Sequence, residues 1–269
     1  WSLESGQVLT ELSGRKRFLA VAPDQKSALA GSDDLEWVSL PEAKTLCNLL
    51  GHTKPISCAA FSPDGRVALS GSGDRTVRVW SLESGQCLHL LEGHTDLVET
   101  VAVSPDGTLA LSGGRDRSLR VWLLATGDCL YVLEHTDEVR RLRITADSRY
   151  VAASTWSAAH KESLEVWDLA NGGRLFSRPG GTAVILLQGG PWALVGSRFA
   201  KPGTLHLWDI PSGRLLRTLV GHPAEAGCLA ITPDDRWALS GSVDGSLRVW
   251  EMDWASRVFE SSLVFNRTH

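Results

Sequence analysis

Five segments of the chain end in tryptophan at nearly equal intervals. Each Trp closes a short run rich in Val and Leu, and successive Trp residues are 42, 45, 41 and 42 residues apart. The five are Trp80, Trp122, Trp167, Trp208 and Trp250. A period of this length is typical of repeat architectures in which each unit is one supersecondary motif. Residues 1–7 recur letter for letter at 80–86, so the first residues match the middle of a repeat.

Charge and hydropathy narrow the classes of partner. The net charge at pH 7 is -4, whereas nucleic acids and anionic membranes are bound by clustered basic surface. No apolar run approaches the roughly 18 residues of a membrane-spanning helix, and no secretory-signal pattern occurs. We therefore expect neither a membrane nor a nucleic-acid partner, and we expect a cytoplasmic location.

Residues 93–134 show what one repeat contains. Four short apolar runs are separated by turn-forming residues, of which Ser104-Pro105-Asp106-Gly107 is the clearest group. Pro fixes φ at the second position of a turn, and Asp and Gly tolerate the conformations that close it. Each repeat is therefore predicted to be a four-stranded antiparallel meander with strands a to d. One such sheet cannot bury both faces alone, so its neighbours must cover them.

Several motifs recur at fixed places in the repeat: a Gly-His start, the Ser-Pro-Asp-Gly turn, a Ser-Gly-Ser-x-Asp turn and a terminal Trp-Asp or a variant of it. On these motifs the chain resembles the WD40-repeat β-propeller family over nearly its whole length. The Trp-Asp pair itself occurs at 167–168 and 208–209. The resemblance implies an all-β, WD40-type propeller with six a-b-c strand sets, of which the first has Val38 where the others have Trp.

We expect a single propeller over residues 1–269, with blades at 15–50, 51–92, 93–134, 135–179, 180–220 and 221–250. Residues 1–14 are expected to supply a d strand, at 7–12, that completes the last blade and closes the ring. Residues 251–269 lack the Gly-containing turn that follows the other Trp positions. This C-terminal tail is therefore not expected to form an ordinary d strand. A ring of seven or more blades, with further blades upstream, is the alternative.

Three repeats share four polar residues at one spacing, with Trp lying 28 residues after a His, 10 after a Ser and 6 after an Asp. The sets are His52, Ser70, Asp74 and Trp80; His94, Ser112, Asp116 and Trp122; and His222, Ser240, Asp244 and Trp250. Ser, His and Asp also serve nucleophilic catalysis, but a catalytic site is needed once per domain. Each set resembles the WD40 structural tetrad, in which the indole, hydroxyl, imidazole and carboxylate are linked by hydrogen bonds.

Two neighbouring repeats are longer between the Ser position and Trp. This interval is 13 residues from Ser154 to Trp167 and from Val195 to Trp208, which predicts two b-c loops that are three residues longer. In the WD40 family the b-c and d-a loops share one rim, the top rim, which often binds partners. Aromatic and Arg side chains are enriched in binding hot spots, although sequence drift also lengthens loops. The predicted partner-binding residues are Trp156, His160, Arg198, Phe199, Lys201, Arg15, Arg17, Leu97, Glu99, Arg115 and Arg140.

The remaining reactive side chains follow the repeat or lie apart. Cys58 matches Cys228 and Cys87 matches Cys129, so we interpret the cysteines as small buried apolar residues and not as disulfide partners. No spacing typical of a metal site and no phosphate-binding loop occurs. We therefore expect no metal and no cofactor.

The sequence favours a non-catalytic scaffold for protein interaction or ligand sensing, as the WD40 region of a larger multidomain signalling protein. A rim of mixed charge suits a protein or peptide partner, or another domain of the same polypeptide. The alternative is a propeller enzyme with a site near the central channel. Such a site needs non-repeating titratable residues, whereas here they mostly obey the repeat.

Overall fold

The computed structural model describes residues 18–40, 42, 44–157, 161–179, 181–197, 203–252 and 261–265. Every regular element in these ranges is a β-strand, and the strands form six four-stranded antiparallel sheets. The predicted all-β class, built of four-stranded antiparallel blades, is confirmed. No helix in the described ranges has the length and apolar character that a membrane crossing requires. The chain divides into two compact units, residues 1–142 and 143–269.

In each of the first three sheets the strands pair in chain order, and these sheets lie in the first unit. Their strands are β1 (Phe18–Val21), β2 (Ser27–Gly31), β3 (Leu35–Ser39) and β4 (Thr45–Leu49); β5 (Ile56–Phe61), β6 (Val67–Ser72), β7 (Val77–Ser81) and β8 (Cys87–Leu91); and β9 (Val98–Val103), β10 (Leu109–Gly114), β11 (Ser118–Leu123) and β12 (Cys129–Glu134).

The other three sheets have the same order of pairing. Their strands are β13 (Glu138–Ile144), β14 (Tyr150–Ser157), β15 (Lys161–Asp168) and β16 (Gly173–Pro179); β17 (Gly181–Leu186), β18 (Trp192–Ser197), β19 (Thr204–Asp209) and β20 (Arg214–Val220); and β21 (Ala226–Ile231), β22 (Trp237–Ser242), β23 (Leu247–Glu251) and β24 (Ser261–Phe265). The boundary between the two units falls within β13.

The fourth strand of the last sheet corrects the expectation for the C-terminal tail. Strand β24 pairs antiparallel with β23, with Val249 opposite Leu263. The segment 261–265 therefore occupies the d-strand position that the sequence predicts for residues 7–12. The apolar Leu-Val-Phe run at 263–265 supplies the β propensity that outweighs the missing glycine turn. Residues 7–12 lie outside the described ranges.

The turn between strands a and b is built as its sequence predicts. In the second blade the amide of Gly65 donates to the carbonyl of Ser62 at 2.9 Å, and Gly65 has φ of 70°. The Asp64 carboxylate accepts a bond from the Ser62 hydroxyl at 2.6 Å and another from the Arg66 amide at 3.0 Å. The side chain of Asp thus closes the turn that Pro and Gly shape.

Neighbouring blades within a unit pack through a glycine in strand b. A Cβ added to Gly71 of β6 would lie 2.6 Å from Cγ1 of Val98, which begins strand a of the next blade. Val98 is completely buried in the apolar cluster between the second and third blades, together with Leu69 and Trp122. The Ser-Gly dipeptide of strand b therefore sets how closely the next blade approaches.

Strand pairing corrects the length of one b-c loop. Trp80 lies opposite Ala68 and Trp122 opposite Ala110, with the Ser two residues later in strand b. Trp167 lies opposite Val151, so the equivalent of Ser is Ala153 and not Ser154. The interval in the fourth blade is 167 − 153 = 14 residues, four more than the 10 of a regular blade. In the fifth blade, Trp208 lies opposite Ala193, which leaves Val195 at the Ser position, as predicted.

The cysteines are less buried than the repeat argument predicts. All five are free; Cys58 is buried and Cys47 is half-buried, whereas Cys87, Cys129 and Cys228 are exposed. Cys87 and Cys129 begin the d strands β8 and β12, which form the open edges of their sheets. The interpretation as buried residues is therefore wrong for Cys87 and Cys129, because an edge strand has solvent on its outer side, and it is also wrong for Cys228, which is exposed in β21.

Candidate functional site

Hydrogen bonds link the four polar residues of the second blade in a chain. The Trp80 indole Nε1 donates to the Ser70 hydroxyl at 2.8 Å, and that hydroxyl lies 2.8 Å from His52 Nε2. His52 Nδ1 lies 2.8 Å from Oδ2 of Asp74. Because a carboxylate only accepts, Nδ1 carries the proton and Nε2 accepts from Ser70. The chain satisfies the buried indole and hydroxyl without water.

The third blade repeats this chain with nearly the same geometry. Trp122 Nε1 donates to Ser112 at 2.9 Å, His94 Nε2 lies 2.8 Å from the Ser112 hydroxyl, and His94 Nδ1 lies 2.8 Å from Asp116 Oδ2. Ser70 and Ser112 are both 0% exposed. A hydroxyl that is fully buried and already bonded on two sides cannot reach a substrate carbonyl, so the geometry opposes a nucleophilic role.

A fifth residue, which the predicted tetrad does not include, completes the sets of the second and third blades. The hydroxyl two residues after the Asp donates to the same carboxylate, from Thr76 to Asp74 at 2.7 Å and from Ser118 to Asp116 at 2.8 Å. The backbone amide of Thr95 also donates to Asp116, at 2.9 Å. This residue is visible in the sequence as well, because a Thr or Ser lies two positions after the Asp in all three sets.

The sixth blade departs from this pattern at the carboxylate. Trp250 donates to Ser240 at 2.8 Å and His222 Nε2 lies 2.7 Å from Ser240, as in the other blades. However, His222 Nδ1 bonds the Ser246 hydroxyl at 2.9 Å and lies 3.6 Å from Asp244. The hydroxyl of Ser246 therefore replaces the direct bond between imidazole and carboxylate.

Burial and hydrogen bonds shift the pKa values of these groups in opposite ways. Burial alone would raise the pKa of Asp74, but bonds from Thr76, the Thr53 amide and His52 outweigh it and lower the pKa to about 2. The pKa of Asp116 is lowered as well, because the bond from His94 and its other donors outweigh burial. Burial lowers the pKa of His52 and His222. At neutral pH the His52 and His222 imidazoles are therefore neutral, and the Asp74 and Asp116 carboxylates are ionised.

An arginine lies over the tetrad Trp in the second and third blades. The guanidinium carbon of Arg78 is 5.8 Å from the Trp80 ring, and that of Arg120 is 5.9 Å from the Trp122 ring. The fourth blade has Glu165 at this strand position, and Arg174 from the next strand lies 5.8 Å from Trp167 instead. Arg174 also approaches Glu165 at 3.6 Å. The cation over the indole is retained although it comes from another strand.

The described residues of the predicted top rim form two ion pairs in the first unit. Arg115, in the b-c turn of the third blade, donates through Nε to Glu99 Oε1 at 2.6 Å. Arg140 donates to Glu138 at 3.0 Å, and both lie in β13. Leu97 is half-buried directly before β9. The negative charge of Glu138 also helps to raise the pKa of Arg115. Acidic and basic groups therefore alternate along the predicted rim.

The first long loop is largely a β-hairpin. Strands β14 and β15 continue pairing beyond the length of a regular blade, with Thr155 opposite Ser163 and Trp156 opposite Glu162. The hydroxyls of Thr155 and Ser163 lie 2.6 Å apart, and Thr155 is 1% exposed. Trp156 thus lies in a strand, half-buried, and not in a projecting loop. The predicted loop conformation is wrong here because Thr155 and Trp156, which both favour β-strands, extend the ladder.

The other predicted rim residues cannot be placed. His160, Arg198, Phe199, Lys201, Arg15 and Arg17 lie outside the described ranges. Within those ranges no group of three or more His, Cys, Asp or Glu side chains could hold a metal ion.

Comparison with known proteins identifies the repeat. The family model "WD domain, G-beta repeat" matches residues 43–81, 85–122 and 213–251. The chain is 36% identical over 218 residues to small ribosomal subunit protein RACK1 of Caenorhabditis elegans, a match that covers 79% of this chain and 65% of the relative. WD repeat-containing protein 82 of Drosophila melanogaster is 26% identical over 239 residues, which is 84% of this chain and 59% of the relative.

A shorter match lies within a much longer relative. The chain is 32% identical over 82 residues to apoptotic protease-activating factor 1 of Danio rerio, covering 30% of this chain and 6% of that protein. The chain thus matches 65% or less of the length of each of these three relatives. With the repeat model at three places, the hydrogen-bonded Trp-Ser-His sets and six four-stranded sheets, the chain belongs to the WD40-repeat family.

Proposed function

We propose that this chain is a non-catalytic interaction or ligand-sensing scaffold that binds a protein or peptide on its top rim. The observation that carries the proposal is the contrast between two groups of polar residues. The buried Ser, His and Asp side chains bond one another through hydrogen bonds that repeat from blade to blade. The rim ion pairs stay accessible, with the Arg115 side chain 47% exposed and that of Arg140 41% exposed.

The proposal includes no catalytic residue. A propeller enzyme would need titratable groups that reach a substrate, and the Ser240 hydroxyl, which is the third candidate nucleophile, is only 1% exposed. Its pairing with Trp250 and His222 serves the fold in the same way as in the second and third blades. The Ser-His-Asp sets are therefore better explained by stability than by acyl transfer.

We further propose that the chain works within a larger multidomain signalling protein in the cytoplasm. The match to apoptotic protease-activating factor 1 supports this, because similar repeats there occupy a small share of a long chain. The partner is then either a separate protein or another domain of the same polypeptide. Membranes and nucleic acids are not proposed as partners because the net charge is -4.

Charge reversal on the rim tests this function. Partners would be captured by quantitative cross-linking to the wild type, to Glu99→Lys with Glu138→Lys, and to the matched control Arg66→Glu on an a-b turn. We expect the rim variant to lose most of the specifically captured protein. The introduced Lys side chains repel the basic groups of the partner that Glu99 and Glu138 attract in the wild type. The Arg66→Glu control should retain it. Equal capture by all three proteins would refute binding on the rim.

A further inference from the structure

We propose that a groove between the second and third blades binds an extended segment of a partner protein in which an apolar residue and a Lys or Arg lie two positions apart. The groove has a volume of about 550 Å³, which is within the size range of ligand pockets. The a-b and c-d turns that border it lie at the end of each sheet opposite the b-c turns. The groove is therefore a second binding surface, separate from the proposed site on the top rim.

Apolar side chains from both blades form the wall of the groove. The second blade contributes Val67 and Leu88, and the third blade contributes Leu123 and Leu124. Val67 and Leu124 also pack against the buried apolar cluster that joins these two blades. The groove is thus an open extension of the core between the blades, and apolar side chains of a ligand can be buried there.

The third blade departs from the repeat at the two positions that follow its Trp. The first position holds Leu123, whereas the other four blades with Trp have a polar residue there: Ser81, Asp168, Asp209 and Glu251. The second position holds Leu124, which is half-buried and lines the groove. Its equivalents in the other four blades are at most 5% exposed: Leu82, Leu169, Ile210 and Met252. The fold therefore leaves two adjacent apolar side chains of this blade open to a ligand.

The charge beside these leucines is negative. Two exposed carboxylates, Asp64 and Asp106, line the groove, and its described lining residues include no Lys or Arg. Hydrogen bonds from Ser62 and the Arg66 amide lower the pKa of Asp64, and the charge of Arg66 adds to this effect. Even when Arg66 is counted, one negative charge remains (2 − 1 = 1). A basic side chain of the partner is therefore attracted to the groove and an acidic one is repelled.

The turns hold both carboxylates in place before a ligand arrives. Asp64 accepts both of its turn bonds through Oδ1, and its Oδ2 accepts no hydrogen bond from the described part of the chain. Asp106 is held by bonds from the Ser104 hydroxyl at 2.5 Å and the Thr108 amide at 3.0 Å. Oδ2 of Asp64 is thus available to a cationic side chain, and little conformational entropy is lost when that pair forms.

The spacing of the two ligand residues follows from strand geometry. In an extended segment the side chains at positions i and i+2 point to the same side. One apolar side chain can then contact Leu123 and Leu124 while the basic side chain reaches the carboxylates. A peptide that repeats Leu-Ser-Arg-Ser has this arrangement and serves as the probe.

Peptide binding to the whole chain tests the apolar contact. The affinity of the fluorescein-labelled probe is measured by fluorescence anisotropy at about 0.15 M salt. We expect Leu123→Ser, which matches Ser81 of the second blade, to weaken binding about tenfold because apolar contact area is lost. The control Leu130→Ser changes an exposed leucine of β12 outside the described groove lining and should bind like the wild type. Equal affinity of wild type and Leu123→Ser would overturn the proposal.

Paired Asp substitutions test the charge. Asp64→Asn with Asp106→Asn keeps an oxygen that accepts the turn bonds, and we expect about fivefold weaker binding because exposed charge pairs contribute little each. Asp24→Asn with Asp147→Asn removes the same charge from the equivalent turns of the first and fourth blades. This control should bind like the wild type. Equal weakening by both pairs would show attraction by net charge alone and would refute the site.

Two altered peptides complete the test on the wild-type protein. Replacing every Leu of the probe by Ala, or every Arg by Glu, should weaken binding by at least about tenfold. Failure of the original probe to bind, equal binding of the Ala peptide, or tighter binding of the Glu peptide would each exclude the proposed ligand. The Ala peptide also tests the apolar contact if Leu123→Ser does not fold in a thermal melt. None of these outcomes bears on the rim, so the proposed function stands or falls separately.

Discussion

Asp116 stabilises the fold, although its place next to a His and a Ser resembles that of a catalytic Asp. Its Oδ2 accepts from His94 and the Thr95 amide, and its Oδ1 accepts from the amide and hydroxyl of Ser118. The carboxylate therefore joins the d-a loop to the b-c turn. A buried donor left without an acceptor costs about 1–3 kcal/mol, so the fold depends on this side chain.

Replacing the tetrad Asp should destabilise different blades by different amounts. Asp116→Ala removes the acceptor of the Thr95 amide and the 2.8 Å bond of His94 Nδ1, which keeps only a longer, 3.2 Å contact with the Ser118 hydroxyl, and we expect a loss of about 3 kcal/mol. Asp244→Ala should cost about 1 kcal/mol, because His222 keeps its 2.9 Å bond to Ser246. Thermal melting followed by circular dichroism measures both. Equal melting temperatures for the two variants would contradict the role assigned to Ser246.

Stability should fall in two steps on acidification. Burial lowers the pKa of His52 and His222, so the unfolded chain binds protons more readily, and their contribution is full above about pH 6.5 and declines below it. The pKa of Asp74 is lowered to about 2. Its contribution is therefore present above about pH 4 and is lost as pH falls toward 2.

Denaturant titrations at a series of pH values would test this order. In Asp74→Asn the loss of stability between about pH 4 and pH 2 should be smaller than in the wild type, because one linked carboxylate is absent. The decline that begins near pH 6.5 should remain, since Asp74→Asn leaves His222 unchanged. The same pH dependence in wild type and variant would mean that Asp74 gains nothing from its donors.

At the scale of the element, a single glycine controls the fit between adjacent blades. Gly71 in β6 and Gly31 in β2 occupy the same strand position, but a Cβ on Gly31 would meet Leu35 and Ile56 at ordinary distances of 3.4 and 3.6 Å. At Gly71 the nearest atom, at 2.6 Å, belongs to Val98, whose β-branched side chain is stiff and completely buried.

Alanine at these two glycines should therefore have unequal effects. Gly71→Ala forces Val98 or the backbone to move and should cost about 2–3 kcal/mol, in the range of overpacked cores. Gly31→Ala should change stability by less than about 1 kcal/mol, since the added methyl meets only normal contacts. Chemical denaturation of both variants provides the comparison. A Gly31→Ala protein that is as unstable as Gly71→Ala would show that strand propensity, and not packing, sets the cost.

Over the whole molecule, the outer edge strands differ in charge. Strand β8 has the exposed residue Leu88, and strand β12 has the exposed residue Leu130. The only Asp, Glu, Lys or Arg in these two strands is Glu134, the last residue of β12. In contrast, β16 carries Arg174 and Arg178, and β20 carries Arg214 and Arg217. Charged side chains on edge strands oppose intermolecular pairing. Strands β4 and β24 also contain no Lys, Arg, Asp or Glu, so the edges of the first, second, third and sixth blades are the less protected ones.

Adding Lys to the uncharged edges should reduce aggregation. We expect Leu88→Lys with Leu130→Lys to raise the onset temperature of light scattering by several degrees while changing the melting temperature little, because both leucines are nearly half exposed. Leu215→Lys in β20 is the matched control and should have a smaller effect, since arginines already flank it. A larger effect from the control would exclude edge charge as the cause.

Much of this organisation is encoded locally and is visible in the sequence. The Trp period, the Ser-Pro-Asp-Gly turns and the three tetrad sets all depend on residues at fixed spacing, and a repeat places them at equivalent positions. The hydroxyl at Thr76, Ser118 and Ser246 follows the same spacing and could have been found in this way. Local spacing did not show that Ser246 displaces Asp244 from His222, because that depends on differences in distance below 1 Å.

The sequence by itself determined the fold class, since turn chemistry and β-strand periodicity act over a few residues and repeat six times. Tertiary structure alone decided the register, which placed Ala153 at the Ser position and extended β14 and β15 into a hairpin. It also decided that residues 261–265 complete the last sheet and that Glu99 fixes Arg115. Pairing between strands and ion pairs across a turn depend on which partners meet in space, and spacing along one chain does not specify them.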